Sequence, residues 1–407
     1  MLESGVAAFV VLLMVAAAVA VLVKLIPVPY VTALALVGAA AGSVLHASPT
    51  LHLTRPLILF VLLPGLLFEA AFNLEWRRLR DDAIGIGLLA TVGVLITAGL
   101  IAVIGHLVLG LALPVAFLLG SILAATDPVA VIAMFRRLGV PDRLATIVES
   151  ESLVNDGTGV VLFTIALGIL LSGRFQPLGA VALFLQLSVG GVAVGLAVGF
   201  ALSRLTMRVD DPQVEITFTA IAAYGSYLLG EAIHVSGLLA VVAAALVMGN
   251  YGRTKGMSER TQLAARSFWD YVAFLLNSLV FLLIGLELPW TSVISRGWAI
   301  AAAAAITLLA RAISVYGVLG LLHPLNRRLP WRWQHLMVWS GIRGAVAIAL
   351  ALSLGQQASP DFPDLRTLVY GVVLVSITVQ GLTIGPLSRR LLKPHGADAG
   401  RQPKPSR

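Results

Sequence analysis

The amino-acid sequence predicts an all-α membrane protein whose helices cross the bilayer about thirteen times. Hydrophobic residues make up 58% of the chain and charged residues only 12%, about half the charge of a typical soluble domain. The apolar residues form runs long enough to cross about 30 Å of hydrocarbon, which takes about 20 helical residues. Helices are the expected spanning element because lipid offers no partner to an open backbone group.

The predicted spans follow one another with short connections, so a single membrane unit of residues 1–392 accounts for nearly the whole chain. The spans are residues 5–23, 30–46, 56–74, 83–108, 112–135, 145–172, 178–203, 213–230, 233–250, 267–287, 297–322, 333–354 and 366–388. Residues 393–407 are rich in proline and glycine and are expected to form a short disordered cytoplasmic tail. The absence of cysteine excludes disulfides and thiolate metal sites.

Lysine and arginine are distributed unevenly between the two sides of the predicted membrane. Of the 28 basic residues, 22 lie on one side and four on the other, and Arg311 and Arg343 lie inside spans. Cytoplasmic loops carry the excess of basic residues, so the N-terminus is expected outside and the C-terminus in the cytoplasm, with the chain in the inner (cell) membrane. Topology therefore explains the net charge of +8, and no nucleic-acid partner is expected.

The fifth span contains a polar, helix-breaking motif. Thr126, Asp127 and Pro128 follow one another mid-span, and proline removes a backbone hydrogen bond and clashes with the preceding turn. A carboxylate at this depth costs roughly 2.5–3.5 kcal/mol on insertion scales. Irregular backbone lining a polar cavity is typical of secondary transporters. The alternative is a structural kink in which Asp127 caps the helix that follows.

The sixth span carries the densest group of polar residues. Glu151 and Asn155 are four residues apart, as are Ser152 and Asp156, so each pair shares a helix face. Oxygen ligands of this kind suit a hard cation and do not suit zinc or copper. Asp156 is therefore the leading candidate for an ion-binding carboxylate, whereas Glu149 is expected to be solvated near the cytoplasmic end.

Two arginines lie inside predicted spans. Arg343 is flanked by glycines in the twelfth span, and its guanidinium is well shaped for a carboxylate. Arg343 is predicted to pair with Glu151, since a pair offsets part of the cost of burying each group; snorkelling to the surface is the alternative. Arg311, in the eleventh span, is expected to neutralise another buried acid or to line a cavity.

The third, fifth and twelfth spans add two further expectations. Glu69 follows a kink at Pro64 and Gly65 in the third span and is a candidate to contact substrate. The fifth and twelfth spans both carry helix-disrupting sequence and are seven spans apart. An inverted repeat with broken helices at its interface would produce that spacing.

Together these motifs resemble those of the monovalent cation:proton antiporter-1 family, which includes the NhaP-type bacterial sodium/proton antiporters. The segments that carry the resemblance are Thr126–Pro128, Glu151–Gly157, Gly341–Val346 and Ser376–Thr383. The resemblance implies an NhaA-type antiporter fold with inverted repeats and two crossing broken helices, here the fifth and twelfth spans. It also implies a homodimer whose protomers contain interleaved core and dimerisation subdomains.

The resemblance also implies roles for individual residues. Sodium is expected at Asp156, Ser152 and Thr126, and Asp156 is expected to alternate between cation and proton. The remaining candidates for binding cation or proton are Asn155, Asp127 and Glu69. Glu151 and Arg343 are the expected structural ion pair, and Pro128 the expected helix break. Asn155 stands where electrogenic relatives have an aspartate, which points to electroneutral exchange.

A single shared carboxylate predicts secondary active exchange of sodium for a proton by alternating access, because Asp156 binds a cation only when it is ionised. The expected partners are the cation, protons and the lipid bilayer; no cofactor and no enzymatic activity are expected. Potassium/proton exchange and a cation channel are the alternatives, and a channel would conduct without proton counterflow. Asp127 and Asp156 could also be interpreted as the pair of an intramembrane aspartyl protease.

Overall fold

The computed structural model describes residues 2–26, 28–45, 52–322, 329–354 and 362–392, and all regular structure within these ranges is helical. The predicted tail, 393–407, and the basic loop residues Arg327 and Arg328 lie outside the described residues. The first helices are α1 (Leu2–Leu22), α2 (Tyr30–Leu45), α3 (Leu63–Asn73), α4 (Trp76–Leu88), α5 (Val94–Leu109), α6 (Leu113–Ala124) and α7 (Val129–Leu138). The central helices are α8 (Asp142–Ser172), α9 (Pro177–Thr206), α10 (Pro212–Ala232), α11 (Gly237–Val247), α12 (Arg253–Lys255) and α13 (Glu259–Leu286). The last helices are α14 (Trp290–Ser295), α15 (Gly297–Leu321), α16 (Trp331–Trp339), α17 (Ala345–Ser353), α18 (Phe362–Val375) and α19 (Gly381–Leu392).

The helices confirm the all-α, multi-pass architecture. Eight helical stretches in the described ranges are long and apolar enough to cross a membrane, and three shorter apolar helices accompany them. Every predicted span coincides with one helix or with two in succession, although the count of about thirteen crossings stays a prediction. Two helices begin well before their predicted starts: the helix expected at 83–108 begins at Trp76, and the one expected at 267–287 begins at Glu259.

Within the described ranges, four stretches form wider, π-helical turns that the sequence does not signal; three of them join α-helices and the first leads directly into α3. They are Leu57–Leu62, Leu89–Gly93, Met248–Gly252 and Ser376–Gln380. Such turns loosen the regular backbone bonding and are frequent at functional sites. One of them is bound from α8, since the hydroxyl of Thr158 donates to the carbonyl of Ala90 at 2.5 Å.

Small residues allow α9 to approach α11 closely. Gly191, Gly195 and Gly199 recur every four residues along α9, and a Cβ on any of them would meet residues of α11 or the turn before it. Without side chains in the way, the two helix backbones lie against each other, as in other membrane helix pairs that use small residues. The outer surface of α9 is apolar and exposed, with Leu178 84% exposed.

Ion pairs join neighbouring connections at the two ends of the helices, which we treat as two faces of the protein. On the first, which we call the basic face, Arg78 lies 2.8 Å from Asp142 and Arg143 lies 2.7 Å from Asp82. The basic face holds the connections that were predicted to be cytoplasmic. On the other, the opposite face, Arg296 pairs with Asp364 at 2.5 Å.

Candidate cation site at the crossing of two broken helices

The helix in the fifth predicted span breaks at Pro128. Helix α6 ends at Ala124, the backbone of Ala125 is extended (ψ 142°), and α7 begins at Val129. Proline disfavours helical backbone in the residue before it, which leaves Thr126 and Asp127 in a short extended segment. The sequence motif therefore produces two half-helices separated by four residues.

The second break lies in the twelfth predicted span, between α16 and α17, and it contacts the first. The backbone N–H of Asp127 donates to the carbonyl of Ile342 at 2.7 Å. On the far side of the second break, the N–H of Arg343 donates to the hydroxyl of Ser376 at 2.9 Å. Gln380 donates to the carbonyl of Trp339 at 3.1 Å. Neighbouring polar groups thus form the hydrogen bonds that the backbone at the breaks needs and that lipid could not provide.

Asp127 lies between the N-termini of two half-helices. Its carboxylate accepts from the N–H of Val129 at 3.1 Å, at the start of α7, and from the N–H of Ala345, at the start of α17. The positive ends of helix dipoles favour a negative charge here. Gly344 makes room for it, since a Cβ at Gly344 would overlap the Asp127 carboxylate.

The predicted pairing of Glu151 with Arg343 is wrong. Arg311 of α15 holds both carboxylate oxygens of Glu151, with N–O distances of 2.5 and 2.7 Å. Arg343 instead donates to the carbonyls of Ala124 and Ala125, at 3.4 and 3.2 Å. These carbonyls are left without helical partners where α6 ends, so they attract the guanidinium that the sequence suggested would bind an acid.

A hydrogen-bonded cluster joins the first break to α8. The amide of Asn155 accepts from the N–H of Thr126 at 3.1 Å and donates to its hydroxyl at 2.7 Å. The Thr126 and Ser152 hydroxyls lie 2.8 Å apart. All three residues are almost fully buried. The cluster fixes the extended segment against α8, next to Asp127 and Asp156.

A cavity of about 210 Å³ extends from this crossing toward the basic face. Glu69, Asp127, Glu149 and Asp156 are the acidic residues in its wall, and Arg136 is the basic one. Asp156 is 7% exposed, and none of the described residues donates a hydrogen bond to its carboxylate or pairs with it. Thr126, Ser152 and Asn155 do not line the cavity. Of the expected sodium ligands, Asp156 is thus the one that faces it.

Two further acids of the cavity wall have partners near the surface. Glu69 accepts from the side-chain amide of Asn73 at 2.8 Å. Glu149, expected to be solvated, is only 16% exposed and lies 3.8 Å from Arg136. The sequence does hold a signal for it, because Glu149, Leu153 and Asp156 are spaced to share one face of α8.

A larger cavity of about 440 Å³ lies between α15 and α18, and its walls are mostly apolar. Arg311 and Arg343 are among its lining residues, and none of the described residues that line it is acidic. The chemistry of a cation site lies in the smaller cavity, where the unpartnered carboxylate of Asp156 is.

Two half-helix pairs that cross beside buried carboxylates, within an all-helical membrane chain, define a secondary transporter. The chain belongs to the sodium/hydrogen exchanger family, because the model of that family's transmembrane region matches residues 9–390. The family is one of transport proteins, and the resemblance seen in the sequence motifs is thereby confirmed.

Individual relatives cover most of the chain. The Na(+)/H(+) antiporter ApNhaP of Aphanothece halophytica is 40% identical over 89% of this chain and 70% of its own length. The Na(+)/H(+) antiporter NhaP of Pseudomonas aeruginosa is 39% identical over 81% of this chain and 80% of its own. The solved structure of the sodium proton antiporter MjNhaP1 from Methanocaldococcus jannaschii superposes with a TM-score of 0.79 at 22% identity, covering 96% of this chain and 99% of that one. That likeness confirms the fold.

Proposed function

We propose that this protein is a secondary active sodium/proton antiporter. The observation that carries the proposal is the carboxylate of Asp156, which is nearly buried, has no partner among the described residues and faces a cavity that reaches the basic face. An unpaired carboxylate at membrane depth is costly, and a passing cation or a proton removes that cost. The names of the relatives at about 40% identity favour sodium as the cation.

Exchange follows from competition for one carboxylate. Ionised Asp156 binds the cation and protonated Asp156 does not, so each ligand displaces the other. The Asp127 carboxylate already accepts hydrogen bonds from the two helix N-termini. It therefore contributes negative charge to the site and does not bind the cation directly. Thr126, Ser152 and Asn155 position the broken segment, and the two hydroxyls can turn to the cation only by giving up their mutual bond. Glu69 adds a carboxylate to the path.

Alternating access couples the two ions. If only a site neutralised by sodium or by a proton crosses the apolar barrier, an empty and charged site cannot return. One cation then moves for each proton in the opposite direction. Asn155, an amide beside Asp156, adds no second charge, which supports electroneutral exchange; no cofactor takes part.

The location and assembly extend the proposal. The basic face is cytoplasmic by the excess of arginine and lysine, so the N-terminus lies outside the inner membrane. The working unit is a homodimer, and the exposed apolar surface of α9 is available to lipid or to a second copy. Light scattering of the purified protein in detergent tests the dimer by its mass.

The first experiment uses purified protein in sealed liposomes with an imposed pH gradient and a pH-sensitive dye inside. Sodium, potassium and lithium are added in turn to wild type, to Asp156→Ala and to Asp364→Ala. Asp364 is a matched control because it is a carboxylate on the opposite face, 45% exposed and paired with Arg296. We expect sodium to collapse the gradient in wild type and in the control, but not in Asp156→Ala.

Three results would contradict the proposal. If only potassium collapses the gradient, the transported cation is potassium and not sodium. If transport is unchanged in Asp156→Ala, Asp156 is not the exchange site. Sodium flux without proton movement, measured with radioactive sodium in the same liposomes, identifies a channel.

A further inference from the structure

Glu149 lies on the route between the surface and Asp156. The two residues are seven positions apart on α8, which is two helical turns or about 10 Å along the axis. Both line the cavity, as does Leu153 between them. A cation that enters from the basic face therefore passes Glu149 before it reaches Asp156.

Arg136 lies at the mouth of the same cavity. It belongs to the last turn of α7, and its Nη2 is 3.8 Å from Oε1 of Glu149. The Arg136 side chain is 68% exposed, whereas the Glu149 side chain is 16% exposed. The contact involves one nitrogen and one oxygen at the limit of an ion pair, and its guanidinium partner is mostly exposed, so solvent screening weakens the attraction. A small cation can therefore replace the guanidinium.

Other oxygen atoms surround the same passage. Glu69 of α3 lies close enough to feel the charges of both Glu149 and Arg136. Asn277 of α13 also lines the cavity, and its side-chain carbonyl oxygen is buried without a hydrogen-bond donor among the described residues. Acceptors from α3, α8 and α13 thus converge where Arg136 is the one basic side chain among the described lining residues, which favours a cation over an anion.

We propose that Glu149 is a relay site for the entering cation and that Arg136 is its tethered competitor. The guanidinium occupies the carboxylate when no cation is there and turns to solvent when one arrives. Arg136 therefore sets the cation concentration needed from the basic face, while Asp156 performs the exchange. This inference rests on the proposed function, since it concerns entry to the same site.

The test measures the initial rate of exchange against sodium concentration at the basic face, in liposomes with uniformly oriented protein. We expect Arg136→Gln to lower the half-saturating sodium concentration about two- to fivefold, because the competitor is gone. Glu149→Gln should raise it by at least as much, because the relay carboxylate is gone. The maximal rate should stay within about twofold of wild type in both, since Asp156 is untouched. In Glu149→Gln, adding Arg136→Gln should change nothing further.

Arg137→Gln is the matched control. Arg137 is the next residue on α7, donates to the carbonyl of Ile26 at 3.4 Å and does not line the cavity. The Arg137→Gln substitution removes the same charge from the same face as Arg136→Gln. An effect of surface potential would therefore shift the half-saturating sodium concentration equally in both variants.

Equal shifts in the two arginine variants, or an Arg136 effect that survives Glu149→Gln, would overturn the relay. A lower maximal rate with unchanged half-saturation would assign the pair a structural role instead. These results leave the antiporter proposal standing, which fails separately if wild type moves no protons in response to any cation. Sodium added at the opposite face, with unchanged half-saturation expected, completes the comparison.

Discussion

Asp156 is the carboxylate for which sodium ions and protons are expected to compete. Its carboxylate faces the cavity without a partner among the described residues, while its neighbour Asn155 is bonded to Thr126. Protons and sodium ions are therefore expected to compete directly. The consequence is a pH dependence of the apparent affinity for sodium, whose sign follows from charge alone.

As the pH falls, more of the Asp156 carboxylate is protonated, so more sodium is needed for half-maximal exchange. We expect the half-saturating sodium concentration to rise up to tenfold per pH unit on the acidic side and to level off on the alkaline side. Initial rates in liposomes, measured over a series of pH values equal on both sides, give this curve. A half-saturating concentration independent of pH, with only the maximal rate changing, would contradict a single shared site.

The Glu151–Arg311 pair makes a second prediction at the residue scale. Both side chains are buried and joined by two bonds. Removing one partner strands the other charge, so Arg311→Met should destabilise the protein by about 3–5 kcal/mol. Adding Glu151→Gln should recover much of that loss. Thermal unfolding in detergent measures the coupling energy as a double-mutant cycle.

The same cycle with Arg343→Met in place of Arg311→Met tests the corrected pairing. Arg343 binds the carbonyls at the end of α6 rather than Glu151, so its coupling to Glu151→Gln should be smaller. A larger coupling for Arg343 than for Arg311 would restore the pairing expected from the sequence.

At the scale of elements, the two broken helices depend on each other. A backbone hydrogen bond from Asp127 to Ile342 joins them, and the Asp127 carboxylate accepts hydrogen bonds from the N-termini of both α7 and α17. The guanidinium of Arg343 donates to the carbonyls at the C-terminus of α6. An anion at helix N-termini and a cation at a C-terminus compensate the dipoles that the breaks create. The crossing therefore acts as one electrostatic unit.

Gly344→Ala should damage that unit. A Cβ at this position would overlap the Asp127 carboxylate, so either the acid or the break must move. Overpacking of this kind costs about 1–3 kcal/mol, and exchange should be lost with it. Gly317→Ala is the control: it lies exposed on α15 with open space around it and should be neutral or slightly stabilising. The melting temperature and the transport rate in liposomes are compared for the two variants. Wild-type stability and transport in Gly344→Ala would mean that the crossing tolerates displacement.

The sequence predicts the elements better than their partners. Pro128 and the glycines around Arg343 locate both breaks because their backbone preferences are local. The partner of Glu151 depends on which helix packs beside α8, and spacing along one chain cannot tell Arg311 from Arg343. The burial of Glu149 was missed for a related reason: a position near the end of a span does not say whether another helix covers it. The π-helical turns carry no local signal at all.

For the whole molecule, the distance between the two access routes is short. Asp156 lines the cavity toward the basic face, and Val160, one helical turn away, lines another cavity of about 220 Å³ toward the opposite face. Gly157 lies between them, packed so closely that a Cβ would meet Leu239. A shift of α8 by about one turn relative to α11, as in rigid-body alternation, would exchange the side from which Asp156 is reached.

The chain contains no cysteine, so single cysteines can report which side each cavity faces. Ala133 lines the cavity toward the basic face and Thr164 the cavity toward the opposite face, and both are exposed. With the basic face in the cytoplasm, a membrane-impermeant maleimide added to intact cells should label Thr164→Cys and leave Ala133→Cys unreacted. Opening the membranes should make Ala133→Cys reactive, while the unsubstituted protein stays unlabelled throughout. Labelling of Ala133→Cys but not Thr164→Cys in intact cells would reverse the orientation, and labelling of both would mean that the two routes are open to the outside at once, as in a channel.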